Sequence, residues 1–563
     1  MTQQRGNCAE HPPPAVGGRI KRVKLQGNLS RIWRRTTTVR EGYRFVLKLS
    51  LPLGAPACLT RDGDTRRKNI SYKAGKNPNS PVGARRQPRR PAAGQVATWL
   101  PTWGTMGPDA PQRSWQRGNP KNASYHLVGV AGVGMSALAQ VLLARGFSVT
   151  GSDRYHDSGQ ELTVLNKLRR AGVSLVSQDG AGVKPETAGV VVSTAIEPEN
   201  PDVQAAGRQG IPIIHRAEML SRLAHSFTTI AVTGTAGKTT VTGMLGWVLE
   251  QAGLDPMVVN GGSVLNWIDD NAIGNVRIGH GITWVLEADE SDRSLMQFDP
   301  DWAVITNISK DHFELDEVES LFQQFSLKVR HGVVGCYGNP PFSMSGFHPR
   351  LSAQGCEFEY QGVTFKIPLL GRHNAENALH CVLMCERIGV SLPEVSRALT
   401  TFQGIQRRLE WVGQARGVTV IDDYAHNPAK IVAAWRAVAP YFKRLIAVWR
   451  PHGHAPLALM MEELTHAFAG LAGRDDRVLI LPVYYAGGTV RTMVDSSRLV
   501  DQLIHAGVVT EAVDSYDALK DRLLSLAQTD DAVLFMGARD PFLPVFALRF
   551  VFELDNFLVD RVP

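Results

Sequence analysis

From Ser124 onward, short apolar runs alternate with longer segments whose apolar positions recur every three to four residues. SYHLVGV leads into a glycine turn, then GMSALAQVLLARG at helical spacing, then FSVTGSD, a pattern that predicts strand, turn, helix and strand. The runs VSLVSQ, AGVVVSTAI and IPIIHRAEMLSRL extend this first α/β unit, which closes near His225. A second unit opens with FTTIAVTG and continues through ITWVLEADESD, DWAVITNIS, short strands around FEYQGVTFKIPLL, and the helix LGRHNAENALHCVLMCERIG. A third follows TFQGIQRRLEWV, with strands VTVIDDY, RLIAVWR, DRVLILPVYY and DAVLFMGA between helical segments. Three such units predict an α/β fold of mostly parallel sheets, with ligands at the carboxyl ends of strands. The predicted boundaries are 123–225, 226–404 and 405–563.

Residues 1–122 break the pattern. HPPPAVGGR, RRTTTVR and GARRQPRRPAAG have little apolar periodicity, so this stretch reads as a disordered or non-native extension. It holds 24 of the 61 basic residues but 5 of the 53 acidic ones, so the remaining chain is acidic although the net charge is +8. A basic interaction arm and a targeting segment are alternatives; the expectation is a start at Met106 or a dispensable tail. With the positive charge confined there, nucleic acid is not an expected partner of the core. No run of about 20 apolar residues predicts a membrane span. Of the six cysteines none forms C-x-x-C, and Cys381 and Cys385 lie one helical turn apart, which predicts buried free thiols and a cytoplasmic protein.

Four stretches carry chemistry. In GVAGVG the glycines Gly129, Gly132 and Gly134 separate a strand from a helix, so backbone could approach a diphosphate. Asp153 ends the next strand, where an acidic residue could meet a ribose. The order G-x-x-G-x-G leaves a dinucleotide site and a simple packing turn both open. AVTGTAGKTTVT joins an apolar strand to a helix and ends in Gly237, Lys238 and Thr239. Val232 stands where the full phosphate-loop pattern has glycine. In that context Lys238 could reach β- and γ-phosphates while Thr239 holds Mg²⁺. TWVLEADESD ends a buried strand in Glu287, Asp289, Glu290 and Asp292, of which at least one is placed to ligate a hard cation. AVITNISKDHFE adds Asn307, Asp311 and His312, His312 being a second metal-ligand candidate.

In sequence order these stretches resemble the Mur ligases, ATP-dependent enzymes that build the peptide of bacterial peptidoglycan. Their shortened loop T-G-T-x-G-K-T-T is matched by Thr233-Gly234-Thr235-Ala236-Gly237-Lys238-Thr239-Thr240. The resemblance runs from Ser124 nearly to the C-terminus and includes GVAGVGMSALA, VVVSTAIEPENP, EADESD, TNISKDH, GRHNAENAL, RRLE, DDYAHNP and RPHGH. It is strongest to the branch that joins L-alanine to UDP-N-acetylmuramate. It implies a Rossmann-like N-terminal domain, a phosphate-loop ATPase domain and a Rossmann-like C-terminal domain, in a monomer or dimer.

The resemblance also implies roles. Gly129, Gly132, Gly134, Met135 and Ser136 would hold the UDP moiety, with a nicotinamide dinucleotide the runner-up. Gly234, Thr235, Gly237, Lys238, Thr239 and Thr240 would bind ATP phosphates, and Thr239, Glu287 and His312 would hold metal. Asn374 and Asn377 would contact adenine and Arg408 would reach the phosphates. Asp423, Tyr424 and His426 would line the amino-acid side, with His426 as the base whose ordinary pKa suits proton removal from the amine.

Departures sit around the acceptor. Ala236 and Asn427 stand where the alanine-adding branch usually has histidine, and Pro451-His452-Gly453-His454-Ala455-Pro456-Leu457 lacks both arginines of P-H-R-x-S-R-T. FMGARDP departs from a glycine-rich ending. Arg450, or a different acceptor, is the expectation that fills the gap, and a homologue without ligase activity is the alternative.

Overall fold

The alternation of apolar runs and amphipathic segments resolves into three α/β layers in the computed structural model, which describes residues 123–309, 314–338, 344–484 and 494–556. These residues fall within one compact unit. In the first layer β1 (Ser124–Val128), β2 (Ser148–Ser152), β3 (Ser174–Val176), β4 (Thr187–Val192) and β5 (Ile213–His215) form a parallel sheet in the order β3-β2-β1-β4-β5. Strands covered by helices on both faces have no polar side to alternate with, so Leu127, Val128, Val190 and Val191 are all fully buried. The helix Val133–Ala144 lays Leu138, Val141 and Leu142 into the same core as Leu165 and Leu168.

The second layer contains β6 (Thr228–Thr233), β7 (Met257–Val259), β8 (Val276–Arg277), β9 (Thr283–Glu287), β10 (Trp302–Ile305) and β11 (Gly332–Gly335). Their order is β11-β10-β6-β9-β7-β8, with only β8 antiparallel to its neighbour. The register pairs Val232 with Glu287 and Thr233 with Ile305, so the loops after β6, β9 and β10 emerge side by side. A small antiparallel sheet, β12 (Arg350–Ser352), β13 (Gly355–Tyr360) and β14 (Val363–Ile367), packs Phe358 and Phe365 into the core of this layer.

The third layer orders β15 (Glu410–Ala415), β16 (Val418–Asp423), β17 (Arg444–Arg450), β18 (Arg477–Ile480), β19 (Thr510–Ala512) and β20 (Asp531–Gly537) as β15-β16-β20-β17-β18-β19. Only β15 is antiparallel. Central β20 is buried along its whole length, as its unbroken apolar run requires. Asp423 pairs with Met536 and Arg450 with Gly537, so the loops after β16, β20 and β17 are adjacent at one end of the sheet.

Cys356, Cys381 and Cys385 are buried free thiols, as the pattern predicts, but Cys336, just past the end of β11, is exposed. Residues 1–122, with Cys8, Cys58 and Met106, lie outside the described residues, as does His312. No helix among the described residues is long and apolar enough to cross a membrane.

Candidate active site

The carboxyl ends of all three sheets face one cleft of about 1390 Å³. From the first layer it receives the glycine turn. Gly129 has φ +73°, a conformation that a side chain would strain, and the amides of Gly129 and Val130 both donate to the Ser152 carbonyl. Asp153 ties the turn down: one carboxylate oxygen accepts from Ala131 N at 2.8 Å and the other from Tyr155 N at 3.0 Å. The carboxylate predicted to meet a ribose thus shapes the turn that would receive a diphosphate. Gly132, Gly134 and Met135 line the cleft, whereas Ser136 does not. Its hydroxyl is buried, donates to Val133 O and accepts from Asn275 of the second layer. Ser136 therefore joins the first and second layers. Arg216, which sequence reasoning passed over, lies against Gly134, whose added Cβ would sit 3.0 Å from the guanidinium.

The second layer supplies the phosphate loop. Gly234 has φ +126°, and a Cβ there would fall 2.2 Å from the Thr306 hydroxyl. Gly237 has φ +88° and begins the helix Lys238–Gln251; its Cβ would fall 2.3 Å from Asn377 Oδ1. Asn307 grips the loop from the strand-end next door, its side chain accepting from Ala236 N at 3.0 Å and donating to Ala236 O at 2.8 Å. The Thr235 hydroxyl donates to Ser309 O at 3.1 Å. Thr240 lines the cleft from the first helical turn. Asn374 and Asn377 are buried, Asn374 donating to Leu370 O and Asn377 to Asn374 Oδ1. Their described contacts brace the loop and the start of the helix Arg372–Arg387. Gly237→Ala is expected to destabilise the enzyme by about 1–2 kcal/mol through its left-handed backbone and its clash with Asn377. Urea denaturation checks this, and an unchanged midpoint would show that the loop does not need glycine there.

Lys238 is nearly buried and donates to Gly234 O at 2.9 Å and Glu290 Oε2 at 2.6 Å, with Asp289 3.8 Å away. Burial lowers its pKa, but the charges of Glu290 and Asp289 outweigh this and hold it above the usual lysine value. Thr239 donates to Glu287 Oε1 at 3.0 Å, and Gly261 N to Glu287 Oε2 at 2.6 Å. Burial pushes the Glu287 carboxyl up despite Lys238. Thr239 and Glu287 are hard oxygen donors separated by 48 residues in sequence and brought together because β6 and β9 are neighbours. Among the described residues no cluster of three or more His, Cys, Asp or Glu side chains forms a metal cage.

The third layer brings Arg407, Arg408, Asp423, Tyr424, His426, Lys430, Arg539 and Asp540 to the cleft. Arg407 bonds buried Asp422 at 3.1 Å and the Gly537 carbonyl at 2.5 Å. Arg408 stacks over the Tyr424 ring at 5.1 Å. Asp423 lines the cleft and accepts from Leu409 N and Ala425 N, so its carboxylate also orders the loop. His426 Nδ1 lies 2.8 Å from Tyr424 O. A carbonyl can only accept, so the proton sits on Nδ1 and Nε2 keeps its lone pair. Burial, then Lys430, His452 and Arg408 depress the imidazole to about 3. The ordinary histidine pKa expected from sequence is therefore corrected: His426 is neutral at working pH and a weak base. Asn427, where a second histidine was expected, caps the helix Pro428–Val438 by accepting from Lys430 N at 2.9 Å. Arg450 does not fill the acceptor gap, because it is bound to buried Asp540 at 2.6 Å and packed over Tyr484 and Tyr516. Tyr155 of the first layer and Tyr484 of the third meet at 2.9 Å between hydroxyls, closing the cleft from one side.

Three family models match in order: the Mur ligase family catalytic domain over residues 124–228, the Mur ligase middle domain over 232–326, and the Mur ligase glutamate ligase domain over 407–539. The chain is 35% identical over 453 residues to a UDP-N-acetylmuramate–L-alanine ligase of Synechococcus sp. (strain JA-2-3B'a(2-13)), covering 75% of this chain and 91% of the relative. It is 35% identical over 444 residues to the ligase of the same name from Gloeobacter violaceus, covering 73% and 92%. The solved UDP-N-acetylmuramate–alanine ligase of Thermotoga maritima superposes with TM-score 0.63 at 26% identity, over 77% of this chain and 99% of that one. With three family models matched in order and relatives at 35% identity over most of their length, the chain belongs to the Mur ligase family.

Proposed function

We propose that the enzyme joins L-alanine to UDP-N-acetylmuramate at the expense of ATP, through an acyl phosphate. One observation carries this reading: a phosphate loop, a nucleotide-type glycine turn and a polar acceptor loop come from three different layers to one cleft. In this reading the lactoyl carboxylate of the sugar attacks the γ-phosphate. Two anions must approach, and Lys238 together with Arg408 offsets their repulsion. Three carboxylates, Glu287, Asp289 and Glu290, surround the single lysine. A polyphosphate added to them needs a further positive charge. Mg²⁺, held at Thr239 and Glu287, would supply that charge and polarise phosphoryl oxygens. His312 remains its proposed additional ligand.

The glycine turn Gly129–Met135, with Arg216 beside it, is the proposed seat of the diphosphate of the UDP-sugar. The alanine amine then displaces phosphate from the acyl carbon. His426 Nε2 is oriented to accept from that amine, and the negative charge of the bound phosphates raises its basicity from the low value it has in the free enzyme. The adenine contact proposed for Asn374 and Asn377 goes through their remaining acceptor capacity. Such chemistry belongs in the cytoplasm, where ATP and the UDP-sugar meet.

The test is ADP release by the full chain with UDP-N-acetylmuramate, Mg²⁺ and a panel of amino acids. L-alanine is expected to give the highest rate. A greater rate with another amine would identify a different acceptor, and no ADP with any amine would mark a nucleotide-binding homologue without ligase activity. For His426→Gln, kcat is expected to fall on the order of 10²-fold. The kcat/KM profile of the wild type should show no acid limb near pH 6.5 that the variant lacks, because the free-enzyme imidazole titrates at about 3. Such a limb, lost on substitution, would overturn the assigned protonation state.

A further inference from the structure

The acceptor end of the cleft holds four arginines on adjacent strand-ends, and their partners differ. Arg407 is paired with Asp422, and Arg450 with Asp540. Arg408 is stacked on Tyr424, and in the proposed reading its charge serves the phosphates. Arg539 is exposed in the cleft and makes no ion pair, hydrogen bond or ring contact among the described residues. Its neighbour Asp540 does not neutralise it. That carboxylate is fully buried and accepts from Arg450, the Tyr516 hydroxyl and Phe542 N.

The backbone at Arg539 is informative as well. It has φ +64°, in the left-handed region where an arginine is strained and a glycine is not. Such strain persists where the side chain has a task that the surroundings enforce. The register places this residue two positions beyond Gly537, which pairs with Arg450, itself two positions before His452. Arg539 thus stands beside the stretch from Pro451 to Leu457 that lacks arginine. Its charge is felt at His452, whose ring packs 5.0 Å from His426.

We propose that Arg539 receives the carboxylate of the incoming amino acid, replacing from the β20 loop the guanidinium that the β17 loop does not carry. The inference rests on the amino-acid ligase reading. A planar guanidinium binds a carboxylate through two parallel charge-assisted bonds, which fixes its orientation and holds the amine toward His426.

Steady-state kinetics with the best amino-acid substrate and with its carboxamide test this directly, since the amide removes the negative charge that Arg539 would bind. The wild type should favour the amino acid over the amide. Arg539→Gly suits the local backbone and should melt like the wild type. In it, KM for the amino acid should rise about 30-fold and the preference over the amide should collapse, while KM for ATP and for the UDP-sugar changes less than about threefold. Arg539→Lys, with charge but no planar fork, should lie between, and it gives the same comparison if the glycine variant folds poorly. Retention of the wild-type KM and amide discrimination in both variants would overturn the role of Arg539 alone. A wild type that releases no ADP with any amine would overturn the ligase reading, and this inference with it.

Discussion

Lys238→Ala is expected to abolish ADP formation, with a loss on the order of 10³-fold or more, while UDP-sugar binding is kept. The reason is positional. Among the described residues Lys238 is the only cation within hydrogen-bond reach of Glu290, and it reaches the loop carbonyl of Gly234, so its ammonium lies where loop and carboxylates converge. A developing phosphoryl charge in a partly buried site depends on such a preset cation far more than it would in water. The glycine turn is built on β1 and β2, with Asp153 as its anchor, and among the described residues it shares no hydrogen bond with Lys238. Titration with the UDP-sugar and a coupled ADP assay on the same preparation check both halves. Near-normal turnover in the variant would refute the phosphate role.

The largest effect on stability is expected at Arg407. Asp422 is fully buried beside it, and one carboxylate oxygen already has no hydrogen-bond partner. Removing the guanidinium by Arg407→Ala leaves that carboxylate without a counter-charge, which costs about 3–5 kcal/mol. The cost should depend on pH. Burial, opposed by Arg407, sets Asp422 at about 6; burial and the Asp422 charge push Glu410 up to about 7. Both lie above their unfolded values, so the folded state holds these protons more tightly. Their contribution is complete below the unfolded pKa values and is lost as pH rises through about 6 to 7. The Arg407→Ala penalty should therefore be largest near pH 8 and smaller near pH 5, where the carboxyls are protonated. Asp422→Asn in the same background should recover part of the loss. Denaturation midpoints at the two pH values measure this, and a pH-independent penalty would show that the pair does not act through charge.

Much of the site was legible because its parts are local. The loop from Gly234 to Thr240 needs glycine at two left-handed positions, and the strand before it and helix after it announce themselves by periodicity. The acidic run after β9 likewise follows an unbroken apolar strand. What stayed hidden are choices among similar groups. Glu287 and Glu290 are three residues apart in sequence, yet one meets Thr239 and the other Lys238. Ser136 sits inside the best glycine motif but turns toward Asn275. Arg450 stands next to the arginine-free stretch in sequence, but Asp540, 90 residues later, occupies it.

The sequence alone therefore determined the three α/β units, the phosphate loop and the family resemblance, since each depends on periodicity, turn chemistry or short spacing. Tertiary structure alone decided the partner of each charge. It bound Arg450 to Asp540, left Arg539 facing the cleft without a partner among the described residues, and lowered the basicity of His426 through burial and neighbouring cations. Pairing and desolvation depend on distances between strand-ends, and strand order, not chain position, sets those distances.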